Sequence, residues 1–131
     1  MFKLTRKSEY ALIALRHLQI NHGTLSSSKE ISQIYMIPRE VLAKVLQKMV
    51  KLNYIDAHKG SNGGYKIKKS LNEMRLVEFI EKMEGPLGLV DCNINENCDQ
   101  IQYCNIKMPI NKINENIKSI LNKIKVADIT T

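Results

Sequence analysis

Residues 27–67, SSKEISQIYMIPREVLAKVLQKMVKLNYIDAHKGSNGGYKI, decide how the chain folds. Ser27-Ser28-Lys29-Glu30 reads as a capping box, in which Ser27 accepts the free backbone N–H three residues on and Glu30 reaches back. A short helix to about Tyr35 follows, and Met36-Ile37-Pro38 ends it. Pro38 suits the first turn of the next helix, where its missing N–H has no helical partner to lose. In that helix Val41, Leu42, Val45, Leu46, Met49 and Leu52 form a broad apolar face, leaving Arg39, Glu40, Ala43, Lys44, Gln47 and Lys48 for the other side. After Asn53 the period changes. Residues 54–58 and 65–67 read as strands, joined through the glycine-rich turn Lys59-Gly60-Ser61-Asn62-Gly63-Gly64, and so predict a β-hairpin.

On the N-terminal side, residues 5–21 place Ala11, Ala14, Leu15 and Leu18 on one helical stripe that His22-Gly23 ends. On the C-terminal side, Leu76, Val77, Phe79, Ile80 and Met83 predict a helix over 76–84, stopped by Gly85-Pro86. In a last periodic run, Ile106, Ile110, Ile113, Ile117, Ile120 and Ile124 alternate steps of four and three, the a/d seam of a long helix. Such a seam either packs on its own domain or pairs with a second copy. A 131-residue chain has little core left to cover it, which favours a homodimer through the helix containing Ile110, Ile113, Ile117, Ile120 and Ile124. The expected fold is mostly α with a small β-hairpin wing. It comprises a winged helix-turn-helix domain over residues 1–86, a cysteine loop over 87–105, and a dimerisation helix with the C-terminal end over 106–131.

The formal charge of +7 is unevenly spread: residues 1–70 hold 13 Lys/Arg against 4 Asp/Glu, residues 71–131 hold 7 against 9. The basic half is the candidate polyanion-binding half, because clustered Lys and Arg neutralise phosphates and release counterions. The N-terminus carries no positive-then-apolar leader pattern and no apolar run approaches a bilayer span, so a cytoplasmic protein is expected.

Two short helices, a longer one and a basic glycine-tipped hairpin follow one another in the order of a winged helix-turn-helix. In that arrangement the second helix crosses the DNA backbone, the third inserts its N-terminal turn into the major groove, and the hairpin reaches sideways to phosphate or minor groove. The candidate DNA contacts are Ser28, Lys29, Pro38, Arg39, Glu40, Ala43, Lys44, Lys59, Ser61, Asn62 and Gly63. Glu40 at a groove-facing position either accepts from cytosine N4 or repels phosphate. Taken singly, each has a plainer reading. Arg39, Lys44 and Lys48 suit a solvated helix face, Lys59 and Lys66 a soluble hairpin, and Ser28 and Lys29 a helix start. The expected partner is double-stranded DNA, with a palindromic operator matching a dimer.

Cys92, Cys98 and Cys104 are the only cysteines, six residues apart in a polar stretch. On a helix that spacing would turn each thiol about 120° from the one before, so only an irregular loop brings them together. In a reducing compartment three thiols point to metal binding or redox sensing rather than crosslinks, and an odd count prevents complete pairing. Structural zinc sites use cysteine pairs two to four apart, a spacing absent here.

These residues resemble the family of winged-helix regulators typified by the iron–sulfur cluster regulator IscR and the nitrite-sensitive repressor NsrR. The markers are Leu4-Thr5 with Tyr10-Ala11, Ile37-Pro38 through Leu46-Gln47-Lys48, the wing from Lys59 to Tyr65, Glu84-Gly85-Pro86 leading to Cys92, the cysteine spacing, and Val126-Ala127-Asp128-Ile129 near the end. The resemblance implies a homodimeric bacterial transcription regulator whose iron–sulfur cluster, beside the dimerisation helix, senses nitric oxide, redox or iron–sulfur status and modulates operator affinity. In some relatives the fourth ligand is a His three residues after the last cysteine; that position here is Lys107. In others it is a carboxylate near the start of helix one of the partner subunit, which aligns with Glu9. The implied ligands are Cys92, Cys98, Cys104 and Glu9, suiting a 4Fe-4S cluster, with 2Fe-2S also open. A Glu early in a helix also simply opposes the macrodipole.

Other readings stay open. One is the same DNA-binding fold without a cluster, responding by thiol oxidation or through a protein partner. Another is an electron carrier, which leaves the basic wing unexplained; no acid–base or nucleophile constellation beside the cysteines indicates an enzyme. A third is a non-specific nucleic-acid-binding protein, which a salt slope without sequence preference would reveal.

Overall fold

Thr5 opens the first helix by accepting the Ser8 backbone N–H at 3.4 Å, and α1 runs over Arg6–Ile20. It is the first element of a computed structural model that describes residues 4–86 and 105–130. Its stripe of Ala11, Ala14, Leu15 and Leu18 is buried as the spacing predicts. The Ser27 hydroxyl accepts the Glu30 N–H at 3.1 Å and starts α2, Ser28–Tyr35. The capping box is only half formed: no return bond from the Glu30 carboxylate occurs among the described residues. Helix α2 stops at Met36 in the left-handed region, φ 54°.

Ser32 locks the turn that follows, its hydroxyl donating to the Ile37 carbonyl at 2.6 Å while the Ile37 N–H returns to the Ser32 carbonyl at 3.1 Å. Pro38 is extended and caps α3, Arg39–Lys51, instead of lying within its first turn. Its carbonyl already accepts the Leu42 N–H at 3.0 Å, which makes it the half-in residue at the helix start. Leu42, Val45, Leu46 and Met49 bury the apolar face of α3.

Strands β1, Ile55–His58, and β2, Gly64–Ile67, pair antiparallel with Ile55 opposite Ile67 and His58 opposite Gly64. A further bridge joins β2 to the segment before α2: the Ser26 N–H donates to the Tyr65 carbonyl at 3.0 Å and the Tyr65 N–H to the Ser26 carbonyl at 2.8 Å. The wing is therefore fastened to the start of α2 rather than hanging free. Below it, Tyr54 meets Phe79 edge-on at 5.2 Å between centroids.

A short 3-10 turn, Leu71–Glu73, leads to α4, Leu76–Glu84, the helix that the sequence pattern delimits. After the cysteine segment, α5 covers Lys107–Asn122 and α6 covers Val126–Thr130. Two backbone bonds tie the end of α5 to the start of α4, Leu76 N–H to the Ile124 carbonyl at 2.9 Å and Val126 N–H to the Met74 carbonyl at 2.8 Å. Val126 and Ala127 join the main hydrophobic core with Leu15, Leu18, Leu42 and Phe79.

The isoleucine seam divides. Ile110, Ile117 and Ile124 are half-buried within the single chain, and Ile124 packs against the core. Ile106, Ile113 and Ile120, seven residues apart, stand 54%, 48% and 63% exposed. One row of the seam is thus taken by the chain's own domain and the other is free of it. Asn114 of the same helix is buried, and its side-chain oxygen has no hydrogen-bond partner among the described residues.

Candidate nucleic-acid interface

On α3 the core face centres on Leu42 and Met49, so the opposite side carries Glu40, Lys44, Gln47 and Lys51 in one line, three or four residues apart. Lys44, Gln47 and Lys51 are exposed, as are Arg39 and Glu40 at the start of the helix; Ala43 beside them is half-buried. The line runs into a cleft of about 660 Å³ between helix and wing, walled by Ser27, Ser28, Gln47, Val50, Lys51, Ala57, His58, Lys59, Gly60, Gly63, Gly64 and Tyr65. Two features make it fit for a polyanion. The first turn of α2, with free backbone N–H groups and a positive dipole end, opens onto it through Ser28, and Lys51 of the helix and Lys59 of the wing both line it with no acidic residue in its wall.

Of the residues predicted to contact DNA, the cleft brings together Ser28, Lys59 and Gly63. Lys29, Pro38, Arg39, Glu40, Lys44, Ser61 and Asn62 are exposed outside its wall. Gln47, Lys51 and His58 are additions that sequence reasoning missed. The helical step from Lys44 to Gln47 to Lys51 was the available signal for two of them. Lys48 turns away from this face. Its ammonium donates to the Met83 carbonyl at the end of α4, 2.6 Å away.

The wing tip is built by backbone constraints. The Gly63 N–H donates to the Gly60 carbonyl at 3.0 Å, and a Cβ on Gly63 would come within 2.2 Å of the His58 carbonyl oxygen. At Gly64, φ is 156° and a Cβ would stand 2.8 Å from both C and O of Ser26. These two glycines permit the tight return and the bridge to Ser26.

Glu9 lies one turn into α1 with its carboxylate 3.1 Å from the Arg6 guanidinium, beside a cleft of about 380 Å³ formed with Leu4 and Thr5. The pair is solvent-facing, so a competing ligand displaces Arg6 at little cost. Cys92, Cys98 and Cys104 lie outside the described residues, and no group of three potential ligands occurs among the described ones. The end of α4, which precedes them in sequence, is bonded to the start of α1. The Glu84 carboxylate accepts from the Thr5 N–H at 3.0 Å, from the Thr5 hydroxyl and from the Ser8 hydroxyl at 2.6 Å.

Burial raises the Glu84 carboxyl, but the hydrogen bonds from Ser8 and Thr5 and the charge of Lys48 outweigh it, and the net shift is downward from 4.5. A carboxyl lowered in the folded state stabilises above its ordinary value and loses that contribution as pH falls through the lowered one. Glu84→Gln is therefore expected to weaken the fold at neutral pH and to flatten the loss of thermal stability below about pH 4.5. Melting curves across that range check it.

A family model described as Rrf2, iron-dependent transcriptional regulator, matches residues 4–131. The chain belongs to the Rrf2 family. Among solved structures, CymR, the global cysteine regulator of B. subtilis, has a TM-score of 0.75 at 21% identity, covering 99% of this chain and 97% of that one. T. potens IscR has a TM-score of 0.72 at 20% identity, covering 98% and 85%. The oxidized form of S. aureus CymR has 0.70 at 16%, covering 98% and 96%. At these identities the likeness establishes a shared fold. The resemblance read from the wing and the cysteine spacing is thus borne out at the level of family. So is the expected winged architecture, and the Rrf2 chain is a transcriptional regulator.

Proposed function

We propose that this Rrf2 chain is a homodimeric, cytoplasmic transcription regulator. It reads a palindromic operator through α3 and the wing, and an iron–sulfur cluster adjusts its affinity in response to nitric oxide, redox or iron–sulfur status. The observation that carries the DNA part is the single cleft in which the first turn of α2, the polar line of α3 and the basic wing converge without an acidic wall residue. A winged domain over 1–86, a cysteine loop over 87–105 and a dimerisation segment over 106–131 remain the working division. The exposed row Ile106, Ile113 and Ile120 supports dimerisation. Three apolar residues at a heptad interval on one helix face are the half-seam that a second copy completes. Among the described residues no helix is long and apolar enough to cross a membrane.

The cluster part rests on three soft thiolate donors in one polar stretch, a fourth oxygen donor in Glu9, and the iron-dependent description of the family. Cys92, Cys98 and Cys104 of one chain and Glu9 of the partner would hold it. Four such donors suit a 4Fe-4S cluster, with 2Fe-2S the other form. When bound, the cluster supplies a redox- and nitric-oxide-sensitive centre. Among the described residues the partner of the Glu9 carboxylate is Arg6, in a solvent-facing ion pair, which fits a ligand role.

A second reading, a cluster-free regulator responding by thiol oxidation or through a protein partner, is favoured by the likeness to the oxidized form of S. aureus CymR. Selection of duplexes from a random library tests operator reading, and iron and sulfide analysis of anaerobically purified protein separates the two sensors. A recovered palindrome with iron and sulfide in equal amounts supports the first. A recovered palindrome with neither supports the second.

A further inference from the structure

The C-terminal end of α4 holds two other helices at once. Through the Met83 carbonyl it receives Lys48 of α3 at 2.6 Å, and through the Glu84 carboxylate it receives Thr5 and Ser8 at the start of α1. Gly85, at φ 101°, ends the helix, and Pro86 and then the cysteine segment follow it in sequence. Glu9 hangs from the same corner, its N–H bonded to the Thr5 carbonyl at 3.0 Å. A cation at a helix C-terminus is favourably placed against the free carbonyls, and a carboxylate at a helix N-terminus against the free N–H groups. Both contacts are thus charge-assisted and strong for their exposure.

Lys48 lies on the flank of α3, about 70° round the helix from the Glu40–Lys51 line, and its ammonium is taken up by the Met83 carbonyl, so it holds the helix from outside that line. Resting on the reading under Proposed function, we infer that Lys48 is a positioning residue. It fixes α3 to the corner that holds the start of α1, with Glu9, and that precedes the cysteine segment in sequence, and it passes the state of that corner to the DNA-reading face. A shift of α4's last turn moves the Met83 carbonyl, and Lys48 makes α3 follow.

The test compares wild type, Lys48→Met and Lys48→Arg, each with and without Cys92→Ser. Two probes are used between 50 and 200 mM salt: a duplex selected by the wild type from a random library, and poly(dI-dC). The expected result has three parts. Lys48→Met keeps the wild-type salt slope on poly(dI-dC), loses about tenfold on the selected duplex, and shrinks the effect of Cys92→Ser there to within about twofold. Lys48→Arg, which keeps a donor, restores the last two. A slope lower by about one, with equal losses on both probes, makes Lys48 a phosphate contact and overturns the inference. Equal effects of Cys92→Ser in wild type and Lys48→Met also overturn it. If Cys92→Ser changes nothing in the wild type, the sensor reading fails and the coupling with it. The slope and the selected-to-random ratio then still decide whether Lys48 positions α3.

Discussion

Gly63→Ala and Gly64→Ala are each expected to detach the wing and lower DNA affinity by at least about tenfold, with melting temperature falling by roughly 10 °C. The atoms in the way are backbone and cannot rotate aside. At Gly63 the new Cβ meets the His58 carbonyl oxygen at 2.2 Å, and at Gly64 it meets C and O of Ser26 at 2.8 Å. Relief requires opening the Gly60–Gly63 turn or separating Ser26 from Tyr65. The second route gives up two backbone bonds of 3.0 and 2.8 Å. Lost bonds and strain together amount to about 2–3 kcal/mol. The wing also forms one wall of the cleft, so its displacement takes Lys59 out of that wall. Thermal melting and operator titration of both variants check this.

Arg39→Ala and Lys59→Ala are expected to weaken operator binding in two different patterns. Arg39 is exposed at the first position of α3, and in the proposed docking its guanidinium would read a base edge; its loss should cost about 1–3 kcal/mol, up to about a hundredfold, and relax preference at one operator position. Lys59 is exposed in the wing wall of the cleft, and in the proposed docking its ammonium would meet phosphate. Its loss should weaken all sequences alike and reduce the salt slope by about one. Binding indifferent to both substitutions would contradict this mode of reading.

What could be read from sequence was local. Ser27 begins α2, Gly85 ends α4 after Glu84, and the apolar spacing of α3 picks out Leu42, Val45, Leu46 and Met49, because caps, breakers and period depend on neighbours within a turn or two. Pairings between distant segments left no such trace. The Ser26–Tyr65 bridge, the Lys48 bond to Met83 and the entry of Val126 into the core join residues 35 to more than 100 positions apart with no repeating pattern. The isoleucine seam shows the boundary most clearly. Its period marked the helix Lys107–Asn122, with Ile106 at its cap and Ile124 beyond its end, but period does not say what covers each row: Ile124 packs on the core, and Ile110 and Ile117 are half-buried. At the interface, charge and order located the wing and α3. Gln47, Lys51 and His58 joined it only when the cleft was seen in three dimensions.

The claim that joins both halves of the molecule is that three cysteines and a carboxylate hold an iron–sulfur cluster that governs a DNA-reading head. Anaerobic Mössbauer spectra of the native protein beside Glu9→Ala, with iron and sulfide analysis, test it most directly. The account predicts cluster doublets with equimolar iron and sulfide in the native protein, and an altered or unstable cluster in Glu9→Ala. A colourless, iron-free native protein under those conditions would contradict it.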